Sequence, residues 1–305
     1  MRFRVAALAI IAYFAVGSRS SGTFDDAVAK LREVALEPVR APCEMPERAA
    51  VVTFVNSYHF PLLLLQRRAM ELRGKRDCLE RRTVTVCLDE GCAARCAERA
   101  VRGCVASGSR VGASDFAAGD YRLVTYMKHE LIRDVLADGA VSELFFFDSD
   151  VLVFDDPWAA ARLGRYDVLY QVEAVAKYAI LERLLGTCTR PVNSGQMLVR
   201  SGGAALRAFD LMVSWKQNIT SGTKLDQDYL LDAMQLAGAR PCHLSPARFV
   251  GACRHHRAAG ARARELVTYH GTCYGTEADK ASVLERVVSR MENLKDGSYD
   301  TVDDL

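Results

Sequence analysis

Two aspartates one residue apart, Asp148 and Asp150, follow directly on four apolar residues in the stretch LFFFDSDVLVFDDP (residues 144–157). Carboxylates rarely sit at the tip of a buried strand without a partner, because taking a charge out of water is costly unless something compensates it. In an extended chain, residues two apart point the same way, so these two side chains are expected to converge. Close carboxylates repel, and one must take up a proton unless a cation lies between them. Hard oxygen ligands of this kind suit a divalent cation. The alternative is a turn in which the aspartates accept hydrogen bonds from neighbouring backbone. The spacing alone is unspecific: a chain of this length holds about one Asp-x-Asp by chance. A second one occurs, Asp226-Gln227-Asp228. The first differs in ending an apolar strand.

The elements around the pair read as alternating strands and helices. AVVTFV is a strand, followed by a helical run from Leu62 to Leu72; TVTVCL is a second strand, followed by a helix from Ala93. YRLVTYMKHELIRDVLADG has apolar residues at helical spacing and closes on Gly139 as a C-cap. SELFFF is the third strand, and Asp156-Pro157 opens a further helix with an N-cap and a first-turn proline. DVLYQV and NSGQMLVR are strands, the latter entered through a turn. Such alternation predicts an α/β fold with a mixed, mainly parallel sheet flanked by helices. In these sheets ligands bind beyond the carboxyl ends of the strands, where Asp148 and Asp150 stand.

The 305 residues are half apolar with a formal net charge of +2, enough for one well-packed catalytic domain, placed at 49–290. Near-neutral balance supplies no field for a nucleic acid partner. Residues 1–17 combine Arg2 and Arg4 with an apolar run and a small-residue exit, the pattern of a signal peptide or short signal-anchor. That segment is the only expected membrane contact. Residues 18–48, with one short helical pattern from Phe24 to Val34 and prolines at 38, 42 and 46, read as a stem or linker, and 291–305 as a frayed acidic tail. Ten cysteines fit disulfides formed in an oxidising lumen, with open connectivity; Cys92 and Cys96 have the spacing of half a zinc site. Asn218-Ile219-Thr220 is a glycosylation sequon. His255-His256 and the arginines around them read as a solvated loop.

Four ordered stretches, YMKHELIRDVLADGAVSELFFFDSDVLVFDDP, PVNSGQMLVR, LDQDYLLDAM and LVTYHGTCYGTEADK, resemble the nucleotide-diphospho-sugar transferases. These are glycosyltransferases of the Rossmann-like GT-A type, and the likeness is to the group with plant arabinosyl-, xylosyl- and galactosyltransferases. It runs from about Val51 to Val287. The resemblance implies that Asp148 and Asp150 bind Mn²⁺ or Mg²⁺ on the donor diphosphate, with His270 completing the metal site. It implies donor contacts from Lys128, Asn193 and Lys280, and a nucleotide bordered by Thr53 and Asn56. Gln227, with Asp226 and Asp228, would face the reacting anomeric carbon. The implied reaction moves a sugar from a nucleotide-diphosphate donor to a glycan or glycoprotein acceptor with retention, in the secretory pathway and most readily in the Golgi lumen. GTCYG after His270, where related chains carry aromatic or polar residues, and the cysteine-rich insert after Cys87 depart from the family pattern. Donor and acceptor choice is expected to reside in that insert and in the loop from Tyr170 to Arg190.

Each of these positions also has a structural reading. Lys128 suits a solvated helix face, Asn193-Ser194-Gly195 a turn, Asp226 to Asp228 a helix start, and His270, at a strand end, a core histidine. Two rival functions use the same residues. A haloacid-dehalogenase-type phosphatase would employ Asp148 as nucleophile and Asp150 as acid, although Leu152 stands where that family has Thr or Val. An inactive lumenal carbohydrate-binding protein would keep the scaffold without the chemistry.

Overall fold

A computed structural model describes residues 22–39, 41–108, 121–173, 188, 191–253, 260–294 and 301–302. The expected leader at 1–17, the His255-His256 loop, most of the Tyr170–Arg190 loop and most of the expected acidic tail lie outside the described residues. Among those described, no helix is long and apolar enough to cross a membrane.

The body is built on a seven-stranded sheet. In chain order its strands are β1 (Ala49–Val55), β2 (Thr83–Cys87), β3 (Cys104–Ala106), β4 (Glu143–Phe147), β6 (Val168–Val172), β7 (Val192–Arg200) and β8 (Pro241–His243), arranged β3-β2-β1-β4-β7-β6-β8. The pairings β1–β2, β2–β3, β1–β4 and β6–β8 are parallel. Only β7 runs against its neighbours β4 and β6. The expected mixed, mainly parallel arrangement is therefore found. Strands buried on both faces read as continuous apolar runs, which is why Phe145, Phe146 and Phe147 sit at zero exposure in successive positions of β4.

A second sheet of three short strands, β5 (Val151–Val153), β10 (Thr268–His270) and β9 (Phe249–Gly251), lies at the end of β4. Of these three, β10 is anticipated through His270 as a strand end, whereas β5 and β9 are not legible as strands. Strands of three residues are shorter than any hydrophobic period that could reveal them.

The helices are α1 (Asp25–Leu36), α2 (Phe60–Leu72), α3 (Arg76–Arg81), α4 (Glu90–Glu98), α5 (Tyr121–Asp138), α6 (Pro157–Ala160), α7 (Gly203–Ser214), α8 (Lys216–Ser221), α9 (Asp226–Leu236) and α10 (Glu277–Glu292). Gly139, with φ +71°, ends α5 as its position suggested. Asp156 caps α6 by accepting from the Trp158 amide, though that helix is a single turn.

The short helical pattern from Phe24 to Val34 is found as α1, and Phe24, Ala27, Leu31, Val34 and Ala35 are buried in the main core against Val52, Phe54 and Val84. Two expectations are corrected. The tail is anchored at Val302, which is buried and donates from its amide to the Ala261 carbonyl. The cysteines form no zinc half-site, because all ten are paired: Cys43–Cys78, Cys87–Cys92, Cys96–Cys104, Cys188–Cys242 and Cys253–Cys273.

Candidate active site

β4 delivers Asp148 to the carboxyl edge of the parallel strands, and there the chain turns. The Val151 amide donates to the Asp148 carbonyl at 3.1 Å, closing a turn through Ser149 and Asp150. The turn is fastened on both sides. Asp148 N–H donates to the Gly195 carbonyl on β7 at 2.8 Å, and Gln66 Nε2 donates to the Ser149 carbonyl at 2.7 Å. The two carboxylates converge as expected, although a turn brings them together where strand pleating was anticipated.

β5 leaves this turn and pairs antiparallel with β10, placing His270 opposite Val151; Gly271 N–H then donates to the Asp150 carbonyl at 2.7 Å. That pairing brings His270 Nε2 within 3.1 Å of Asp150 Oδ1. Ligand atoms of Asp148, Asp150 and His270 all lie within 4.8 Å of one another. Gly195 forms the floor of this constellation. A Cβ there would lie 2.3 Å from His270 Cε1 and 3.0 Å from Asp148 Oδ2.

The donor set fits a divalent cation on the structure's own terms. His270 Nδ1 lies 2.6 Å from Gln171 Oε1, an acceptor, so Nδ1 carries the hydrogen. In the neutral ring Nε2 then turns a lone pair toward Asp150 Oδ1, and two acceptors face each other at 3.1 Å. A cation between them removes that conflict, and the partner fixing the other ring nitrogen is the usual second support of a metal-bound imidazole.

The charges around the site are linked. Lys280 Nζ is 2.7 Å from Asp150 Oδ2. Burial pushes the Asp150 carboxyl up, but the Lys280 ammonium, joined by the His270 ring wherever that ring is protonated, outweighs it and holds it well below the usual carboxylate range. Lys128 is buried on α5, not solvated, with Nζ 2.8 Å from Ser194 Oγ, 3.4 Å from Asp226 Oδ2 and 3.7 Å from Asp148 Oδ1. Burial disfavours its ammonium, yet Asp148 and Asp226 overcome this and keep it charged. Asp226 Oδ2 also accepts from Ser194 Oγ at 2.7 Å and pairs with His129 Nε2 at 2.8 Å. Lys128 and these donors outweigh burial, so Asp226 is held well below its ordinary range. Asp148 behaves oppositely: burial raises it, and Lys128 only partly offsets that. The least compensated carboxylate therefore lies at the cation position.

These groups open on a cavity of about 560 Å³. Of the residues singled out in the sequence, Lys128, Asp148, Asp150, Asn193, Gln227, His270 and Lys280 line it. Asn193 lies inside β7 and not in a turn; its Nδ2 donates to Glu173 Oε2 at 2.7 Å. Thr53 and Asn56 are fully buried beneath the wall, and Phe54 and His59 line it in their place. Asn56 instead holds His59, accepting from its backbone N–H and facing its Nδ1, each at 2.8 Å. Asp226 lies behind Lys128. Asp228 turns back to accept from the Leu225 amide at 2.9 Å, as a helix start does. Sequence reasoning missed Gln171, Gly195, Tyr121 and His129. For His129 a signal existed: an ionisable residue beside Lys128 on the buried side of α5.

Fold and site together define an α/β protein with a cation-compatible acidic centre and fixed ammonium groups at the carboxyl edge of its sheet. The model of the nucleotide-diphospho-sugar transferase family matches residues 78–284, more than half of the chain. The chain belongs to that family and is a glycosyltransferase, which removes the phosphatase reading. No curated protein matches it in sequence. Among solved structures it is similar to the galactosyltransferase LgtC in complex with donor and acceptor sugar analogues, at 13% identity and TM-score 0.48, over 81% of this chain and 97% of that one. It is also similar to a glycosyltransferase involved in glycosylation of the major capsid of PBCV-1, at 13% identity and TM-score 0.45, over 80% and 100%. Mouse xyloside xylosyltransferase 1 aligns at 14% identity and TM-score 0.42, over 74% and 98%.

Proposed function

We propose that the chain transfers a sugar from a nucleotide-diphosphate donor to a glycan or glycoprotein acceptor, with retention of anomeric configuration, in a reaction that depends on Mn²⁺ or Mg²⁺. One observation carries the reading: Asp148, Asp150 and His270 converge within 4.8 Å in the lining of the cavity. These three would hold the cation, which when bound supplies Lewis-acid charge to the departing diphosphate. Lys128, fixed by Ser194 and Asp226, presents a preorganised positive charge to the same cavity. Lys280 is committed to Asp150 and keeps it anionic, so its contribution is to the cation site.

Retention can proceed through a carboxylate-bound intermediate or by departure and attack on one face. The placement of Asp226 behind Lys128 and of Asp228 on the Leu225 amide supports the second route. Gln227, which does line the cavity, is then the group that faces the anomeric carbon. Five disulfides support residence in an oxidising secretory compartment, and the Golgi lumen is the proposed site of action.

Incubation with a panel of nucleotide sugars and Mn²⁺, reading released nucleoside diphosphate, tests the function. At least one donor should be consumed. Asp150→Asn should slow that reaction on the order of a hundredfold or more, as loss of a preorganised stabiliser does. Donor binding without turnover of any donor would identify a binding protein instead.

A further inference from the structure

A second concavity carries chemistry that sugar transfer does not use. It encloses about 530 Å³ and is lined by Trp215, Asn218, Tyr229, Asp232, Gln235 and Leu236, a size within the roughly 300–1,000 Å³ of ligand sites. Trp215 and Tyr229 supply its aromatic surface, ring centroids 6.0 Å apart and planes inclined at 55°. Leu236 is 68% exposed at the edge. Tyr229, Asp232, Gln235 and Leu236 share a face of α9, because helical residues three and four apart stack above one another. Aromatic faces flanked by carboxylate and amide groups suit a sugar ring. Its C–H face packs on the π-system while its hydroxyls bond to the polar rim.

Asn218 belongs to this wall, and it begins the acceptor sequence Asn218-Ile219-Thr220. Ile219 is fully buried, whereas Asn218 is exposed, so α8 anchors through the one and turns the other outward. We propose that Asn218 carries an N-linked glycan whose first sugar rings lie in this groove against Trp215 and Tyr229. In its attachment Asn218 Nδ2 bonds to the anomeric carbon of a polyprenyl-diphosphate oligosaccharide. Nδ2 loses one proton, and the diphosphate leaves with the electron pair of the broken C–O bond. The covalent tether holds the sugar near the groove at an effective concentration in the millimolar range, so weak stacking is sufficient. The glycan braces the segment from Lys216 to Leu225, whose Ile219 and Lys224 carbonyls hold Arg122 in the wall of the catalytic cavity.

The inference rests on the lumenal reading of the chain and not on its activity. Its test uses the full chain made in a eukaryotic secretory host, with Asn218 occupancy and cysteine oxidation both mapped by mass spectrometry. Occupied Asn218 with all cysteines oxidised is the expected result. Oxidised cysteines with a bare Asn218 would overturn the glycan alone; reduced cysteines would overturn the compartment and the glycan together. Docking is read separately. Of the two tryptophans, Trp158 is buried, so quenching of tryptophan fluorescence by iodide reports on Trp215. Asn218→Gln, a change at an exposed position, should raise that quenching at least about twofold over the glycosylated chain and lower Tm by about 2–4 °C. Equal quenching in the two proteins would mean that the glycan projects into solvent, and the groove assignment would fall.

Discussion

Gly195 and Gln171 set the geometry of the acidic centre without contributing a charge. A methyl group at 195 would clash with His270 at a distance real Cβ atoms do not tolerate and press tightly on Asp148 as well. Gly195→Ala should therefore spread the three ligands. Mn²⁺ affinity, measured by calorimetric titration of the protein alone, is expected to fall by at least about tenfold. Gln171 acts through His270 by fixing which ring nitrogen bears the hydrogen. Gln171→Leu should weaken Mn²⁺ binding about 10- to 100-fold, the usual effect of removing the outer partner of a ligating imidazole. Unchanged affinity in this variant would place His270 outside the metal site.

α5 has two jobs along its length, and they conflict. Its first half delivers Lys128 and His129 to the site; its second half buries Asp134, which pairs with Arg133 at 2.8 Å. Burial raises the Asp134 carboxyl to about 6, with Arg133 opposing and Glu130, Asp25 and Asp210 adding to the rise. An unfolded carboxyl titrates near 4. Between about pH 4 and pH 6 the folded chain therefore holds the proton more tightly than the unfolded chain, so stability declines as pH rises through that window. The penalty is present in full above it. Asp134→Asn removes the charge while keeping an acceptor for Arg133. It is expected to stabilise the protein at pH 8 by on the order of 1–3 kcal/mol and to have little effect at pH 4. Thermal melts of both proteins at the two pH values check the sign.

For the molecule as a whole, the site depends on a small sheet being held against a large one. β10 reaches Asp150 only through its pairing with β5, and the loop that follows it, Thr272 to Gly275, walls the cavity. Cys253–Cys273 ties this loop to the end of β9. Replacing both cysteines by serine should lower stability by about 2–4 kcal/mol, seen as a lower urea midpoint. It should also raise the donor KM several-fold, because the wall is no longer tethered. A variant with lower stability but an unaltered KM would show that the loop takes no part in donor binding.

What could be read from residues alone was whatever is encoded over short distances. The apolar run of β4, the helical period and glycine stop of α5, and the carboxylates after Phe147 are local patterns, and the fold followed from them. The ordered motifs carried Lys128, Asn193, Gln227 and His270 to the cavity wall. What only the tertiary structure decided was made by contacts between distant segments. Pairing of β5 with β10 sets His270 against Asp150. The antiparallel insertion of β7 puts Gly195 beneath the ligands, and α9 turns Asp226 inward to Lys128 while leaving Gln227 at the surface of the cavity. Strands of three residues have too few positions to show a period, and a side chain's partner across a sheet depends on register. Neither is written in the neighbouring residues, so packing alone determines them.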